Sequence, residues 1–246
     1  MEKLNYSDHI DHYKKDAELF DYFEHDKFMV EELKRRYQEI FRKIKLKQGL
    51  RILEIGTGDG FALSQLHDNF KYYYSVDISQ INLSRIKKKY PDRTYASVAD
   101  IYNIPFADES FDVAIMSEVL EHLIEPGQAL TEVYRILKKN GKLVVSVPYK
   151  EKISYYLCIH CNKMTPTHAH IHSFNKEKLT LLFRQIGFDS IKSSKNLNKV
   201  AQRLYIYRIL KWAPYIFWKS TDNIFNLIID KPISIIVTGS KRKNGV

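Results

Sequence analysis

Cysteine is nearly missing from this 246-residue chain. Cys158 and Cys161 are its only two, with two residues between them. No disulfide framework can be built from such a pair, so a reducing, cytoplasmic setting is the expectation. Nine glycines and seven prolines are too few for a collagen-like or low-complexity chain. No uncharged apolar run approaches the ~20 residues of a membrane span, and residues 1–5 lack an apolar signal region. Peripheral attachment to a membrane stays open. Acids are scarce in the later part: residues 138–246 hold five Asp/Glu against 20 Lys/Arg, whereas residues 1–137 hold 24 against 19. The net charge of +10 therefore belongs to the later part. It suits an anionic substrate, nucleic acid or a membrane surface, or simply a solvated basic face. The length suits one α/β domain with additions.

What the chain does have is Arg51-Ile52-Leu53-Glu54-Ile55-Gly56-Thr57-Gly58-Asp59-Gly60-Phe61. An apolar run reaches three glycines at alternate positions, and Phe61, Leu63 and Leu66 then follow helical spacing. This reads as a buried strand, a tight turn and a helix N-terminus whose unpaired N–H groups face a polar ligand. The spacing is G-x-G-x-G, not the G-x-G-x-x-G of dinucleotide enzymes. Glu54, two residues before the first glycine, would repel a pyrophosphate and suit a cation. Tyr74-Ser75-Val76-Asp77-Ile78 reads as a second strand ending in an acid, 21 residues after Gly56. A carboxylate at that distance can accept from ribose hydroxyls.

From residue 50 onward strand and helix patterns alternate. Strands are expected over 51–55, 72–77, 94–98, 112–117 and 142–148, and helices over 60–69, 80–90 and 125–137. A helix at 175–186 and strands at 188–194 and 233–239 follow. Alternation of this kind builds a parallel sheet covered on both faces, with ligands at the carboxyl ends of its strands. Two aromatic-rich helices, 8–24 and 26–45, precede it.

E-x-G-x-G-x-G, Val76-Asp77, Ala99-Asp100-Ile101, Phe111-Asp112-Val113-Ala114 and Leu137-Lys138-Lys139-Asn140-Gly141 stand in the order and spacing of class I S-adenosylmethionine-dependent methyltransferases, which residues 48–195 resemble. The nearest likeness is to the small-molecule group that includes ubiquinone-biosynthesis enzymes. The resemblance implies one domain over 1–246: a Rossmann-like α/β sheet of seven strands, six of them parallel, with helices on both faces. It implies a helical lid at 1–47, a cofactor core at 48–150 and an insertion at 198–231 before the last strand. Glu54, Gly56, Gly58 and Gly60 would frame the methionine end of the cofactor. Asp77 and Ile78 would hold the ribose, Asp100 and Ile101 the adenine, and Ser117 the backbone near the sulfonium. Tyr13 would close over it from the lid. The implied reaction moves a methyl group to an O, N or C acceptor.

His122, in Ser117-Glu118-Val119-Leu120-Glu121-His122-Leu123, is the histidine best placed to act as a base or to position the acceptor. Glu118, Glu121 and His122 with a later histidine also resemble the E-x-x-E-H set of two metal-dependent branches, the ubiquinone O-methyltransferases and the enzymes that methylate small-RNA 3′ ends. Four of the nine histidines fall within residues 160–172, beside both cysteines. Cys158 and Cys161 with two of His168, His170 and His172, in the first place His168 and His172, could hold zinc or another transition metal, or this 151–174 loop could contact the acceptor. Residues 203–219 mix both tryptophans with Arg and Lys around Pro214, as a membrane interface favours; packing or a substrate lid is the other reading. A small or lipid-linked acceptor is expected and nucleic acid is not. Two rivals remain: a metal-dependent RNA 2′-O-methyltransferase, and a non-catalytic metal- or membrane-binding scaffold. Nothing in the sequence indicates an oligomeric state.

Overall fold

The computed structural model describes residues 9–21, 23–66, 72–159 and 162–242. Its main sheet comprises β1 (Ile52–Ile55), β2 (Tyr73–Asp77), β3 (Tyr95–Val98), β4 (Phe111–Ser117), β5 (Leu137–Pro148), β8 (Phe188–Asn198) and β9 (Pro232–Lys241); β6 (Tyr155–Leu157) and β7 (Met164–Pro166) form a separate hairpin. The strand order is β3-β2-β1-β4-β5-β9-β8. Pairs within β3 to β5 are parallel, and β9 runs antiparallel to both β5 and β8. Six parallel strands and one reversed strand are the expected arrangement.

Two apolar layers hold the sheet, because successive residues of a strand point to opposite faces. On one face Leu53, Ala114, Met116, Val145 and Val237 meet α5 (Pro126–Ile136) and α6 (Lys176–Ile186) through Leu130, Val133, Leu179 and Phe183. On the other, Ile52, Val113, Ile115, Val144 and Ile236 meet α2 (Lys27–Ile44), α3 (Phe61–Ser64) and α4 (Gln80–Lys89) through Tyr37, Ile40, Leu63 and Ile86. Two helices stop on local signals. Lys87, Lys88 and Lys89 close α4, and Gly187 ends α6 in the left-handed conformation, as helix C-termini favour.

Three differences matter. The expected helix over 60–69 is described only as Phe61–Ser64, with residues 67–71 outside the described set. The proposed lid at 1–47 divides into two parts with different roles. The first, α1 (His9–Leu19), buries Ala17 alone, whereas α2 is a full packing layer because Tyr37, Ile40 and Ile44 form one apolar stripe. The insertion at 198–231 folds as α7 (Lys199–Arg203), α8 (Ile206–Ile209) and α9 (Tyr215–Ile228). It packs around the fully buried Trp218. It is bolted to α2: Arg35 donates to the carbonyls of Leu210 at 3.2 Å and Lys211 at 2.9 Å, and Tyr215 Oη donates to Glu39. No helix among the described residues is long and apolar enough to cross a membrane.

Candidate functional site

One cavity of about 660 Å³ opens where β1, β2 and β4 end, and α1, α2 and the loop after β4 complete its wall. The glycine turn shapes its floor. Gly56 has φ +71°, and a Cβ there would come within 2.4 Å of a Val119 methyl. Gly58 has φ +53° and open space where a Cβ would stand, so its backbone is approachable by a ligand. Asp77, at the end of β2, accepts from the Gly58 N–H at 3.2 Å and the Ser79 N–H at 2.9 Å. Burial raises its carboxyl, and those backbone donors oppose the rise.

Asp100 follows β3, accepts from the Tyr102 N–H at 3.2 Å and meets His9 Nε2 of α1 at 3.2 Å. A second histidine from the N-terminal segment reaches the glycine turn: His25 Nε2 lies 2.8 Å from Asp59 Oδ2. Asp59 and Asp100 are thus each touched by a histidine of the covering layer. Neither histidine carries a sequence signal on its own, because each partner lies far along the chain.

Seven acidic residues line the cavity (Asp16, Asp26, Glu32, Asp59, Asp77, Asp100 and Glu118), with Arg36 the only Lys or Arg among the described lining residues. Arg36 bonds Glu32 at 2.9 Å and lies 3.8 Å from Glu118. Glu118 follows β4 in the left-handed region at φ +56°, which is strained for a residue other than glycine, and it accepts from Ser146 Oγ at 2.9 Å. The i,i+4 spacing of Glu32 and Arg36 was legible as a helix-surface pair, but not as part of a cavity.

Of the residues read from the sequence, Tyr13, Gly56, Gly58, Asp77, Ile78, Asp100, Ile101, Ser117 and His122 all line this cavity. Glu54 and Gly60 do not. Glu54 faces the α2 side of the sheet with Ile52. Its fully buried carboxylate accepts from Tyr37 Oη at 2.6 Å and Tyr73 Oη at 2.8 Å. Gly60, at φ +71°, turns its α-carbon toward Ile86 of α4, which a Cβ would approach to 3.0 Å.

Burial pushes the Glu54 carboxyl up from 4.5 to about 7, against the two tyrosine hydrogen bonds. A carboxyl raised on folding holds its proton better in the folded state. Its stabilising contribution is therefore present below the unfolded value and is lost as pH rises through the folded one. Thermal melts between about pH 5 and about pH 8 should show stability falling in wild type and a flatter profile in Glu54→Gln. An identical fall in the variant would assign it to another group.

His122 closes a turn of 3-10 helix over Leu120–His122. Its ring stands edge-on to Tyr13 at 5.9 Å and to His170 at 4.7 Å between centroids. Burial first, then the neighbouring His170, lowers its pKa to about 4, so the imidazole is neutral at pH 7. That is further from neutrality than expected of a histidine base: it can accept a proton but is a weak base. Glu121 is fully buried, and among the described residues neither carboxylate oxygen has a hydrogen-bond partner. Burial raises its carboxyl well above the usual range, and the nearby Glu118 adds to the rise.

The expected Cys/His ligand set is only partly within the described residues. Cys158 is at the end of the β6–β7 hairpin, where it accepts at its carbonyl from the Asn162 N–H, and Cys161 lies outside the described residues. Among the described residues Cys158, His168 and His172 form no common cluster. The set that does come together is Glu121, His122 and His170, each offering an atom within 4.8 Å of the others. The hairpin carries Cys158 away while the returning strand brings His170 back to the loop after β4, where the Ile171 and His172 N–H groups donate to the Glu121 carbonyl. Glu118, occupied by Ser146, is outside the set.

Comparison with known proteins agrees with this geometry. Residues 53–145 match the family described as methyltransferase domain. A probable S-adenosylmethionine-dependent methyltransferase of Mycolicibacterium smegmatis is 26% identical over 157 residues, covering 63% of this chain and 58% of the relative. Demethylmenaquinone methyltransferase of Paenarthrobacter aurescens is 33% identical over 101 residues, covering 41% of this chain and 40% of the relative. The chain thus spans 58% and 40% of the length of these two relatives. Among solved structures, an S-adenosylmethionine-dependent methyltransferase from Mesorhizobium loti superposes with a TM-score of 0.61 at 18% identity, covering 85% of this chain and all of that one. A Haemonchus contortus phosphoethanolamine N-methyltransferase superposes with a TM-score of 0.59 at 18% identity, covering 84% and 52%. Sequence and fold agree: residues 53–145 match a methyltransferase domain, on a fold shared with solved S-adenosylmethionine-dependent methyltransferases.

Proposed function

We propose that this chain moves a methyl group from S-adenosylmethionine to a small or lipid-linked metabolite. The observation that carries the reading is the sign of the cavity: seven acidic residues and one Arg line it, in a chain of net charge +10. A donor bearing an ammonium and a sulfonium gains from that field, whereas a pyrophosphate or an RNA backbone would be repelled. The residues fit the donor. Asp77 would accept from the ribose hydroxyls, Asp100 and Ile101 would hold the adenine, and the Gly56–Gly58 backbone with Ser117 would take the methionine end. When bound, the donor supplies a methyl group on a positively charged sulfur.

The chain supplies position and proton handling. On this reading α1 excludes water, Tyr13 covers the donor, and His122 orients the acceptor and accepts its proton at Nδ1, which has no partner among the described residues. Calorimetry with S-adenosylmethionine tests the first step, and absence of binding would favour a non-catalytic scaffold. Incubation with isotopically methyl-labelled donor and a small-molecule extract tests the second. Label in a small molecule supports the reading; label only in RNA would replace it.

A second reading is favoured by the isolated Glu121 carboxylate. A divalent transition metal held by Glu121, His122 and His170 would satisfy that buried group with a His₂Glu donor set and polarise an acceptor hydroxyl. His122 would then be a ligand and not a base. Elemental analysis of protein purified without chelators decides. Less than about a tenth of an equivalent of metal removes this reading, while a stoichiometric metal lost in Glu121→Gln supports it.

A further inference from the structure

Helix α9 is inverted relative to an ordinary surface helix. Its buried positions are Trp218, Asp222 and Asn226, and the two polar ones are satisfied inside the fold. Asp222 accepts from Tyr207 Oη at 2.6 Å and Lys219 Nζ at 2.9 Å, and Asn226 accepts from Asn198 at 2.9 Å. The outward stripe is Ile216, Phe217, Ile224, Leu227 and Ile228, each between 56 and 85% exposed. Their spacing repeats through three turns of one helix face. In the turn before it, Ile209 is 74% and Trp212 85% exposed. Apolar side chains gathered this way on a helix face mark a contact surface.

The charge around the stripe indicates the partner. The insertion's two acids, Asp222 and Asp230, are both tied to lysines. Arg203, Arg208 and Lys211 make no ion pair among the described residues, so the insertion offers uncompensated positive charge. We propose that this face docks on the surface of an anionic phospholipid membrane. Apolar side chains enter the interface while the neighbouring Arg and Lys meet lipid headgroups, the binding mode of an in-plane amphipathic helix. The 14 residues of α9 cannot span a bilayer, so the helix lies in the interface plane. Gln202 of α7 lines the cavity, and Arg35 ties residues 210 and 211 to α2, so the docking face and the cavity wall are parts of one packed unit. A membrane-held acceptor follows only if the methyl-transfer reading is right; the docking itself does not need that reading.

Flotation of the purified chain with phosphatidylcholine vesicles, with and without phosphatidylglycerol, tests the proposal. Wild type should float with the anionic vesicles, less so at high salt, and little with the neutral ones. The double variant Trp212→Ser, Leu227→Ser alters only exposed side chains and should partition at least about tenfold less. Donor binding, followed by calorimetry on the same proteins, separates the two readings. Protein that binds S-adenosylmethionine but does not float overturns the docking alone, and protein that floats without binding donor overturns methyl transfer alone. Equal flotation of variant and wild type overturns the docking. So does self-association in sedimentation that those two substitutions abolish, because the stripe would then be covered by a second copy.

Discussion

Asp77→Ala should weaken S-adenosylmethionine binding by at least about tenfold, since one hydrogen bond to a charged group carries ~1.5–3 kcal/mol and ~1.4 kcal/mol is a decade of affinity. Asp77 ends β2 with its carboxylate already receiving the Gly58 and Ser79 N–H groups. Removing it would leave the glycine turn without one of its ties as well as deleting the proposed ribose acceptor. Asp77→Asn should fall between wild type and alanine, because it keeps one acceptor oxygen but turns an NH₂ toward groups that donate. Calorimetry on both variants, with a thermal melt to show that they fold, makes the measurement. Affinity unchanged in a folded Asp77→Ala protein would place the ribose elsewhere.

Trp218→Ala should cost about 3–5 kcal/mol of stability, the usual loss when a large buried aromatic is truncated. The ring is fully buried, with Tyr207 and Tyr215 at 5.5 and 6.1 Å between centroids and the Arg35 guanidinium 5.0 Å above it. It therefore joins α8, α9 and α2 at one point. Trp218→Phe should cost much less, because it keeps most of the apolar volume and removes an indole N–H that has no acceptor. Urea unfolding of both variants gives the comparison. A loss below about 1 kcal/mol for alanine would mean that the insertion unfolds separately from the sheet.

Much of the fold was legible because its signals are local. The glycines after β1, the acid ending β2, the lysine run and glycine that stop α4 and α6, and the strand–helix alternation each act within a few residues. Nine of the cofactor and catalytic positions read this way line one cavity. Glu54 shows where local reading fails. Its spacing from Gly56 suggests a cation site, but side-chain alternation places it with Ile52, on the face opposite Leu53 and Ile55. Its partners, Tyr37 and Tyr73, come from a helix and a strand elsewhere in the chain. The histidines after the hairpin were illegible for a related reason: ligand-type residues close in sequence need not converge when a hairpin lies between them. His170, not Cys158, meets Glu121 and His122.

By itself the sequence determined the backbone: where strands end, where the turn must be glycine, where helices stop and which acids follow which strands. Those features depend on local sterics and capping, which travel with the residues. Only the tertiary structure decided that the cavity of a basic chain is acidic, that Glu121 is buried without a partner among the described residues and that α9 turns its apolar stripe outward. Burial and pairing are set by elements far apart in the chain, and no short stretch carries them.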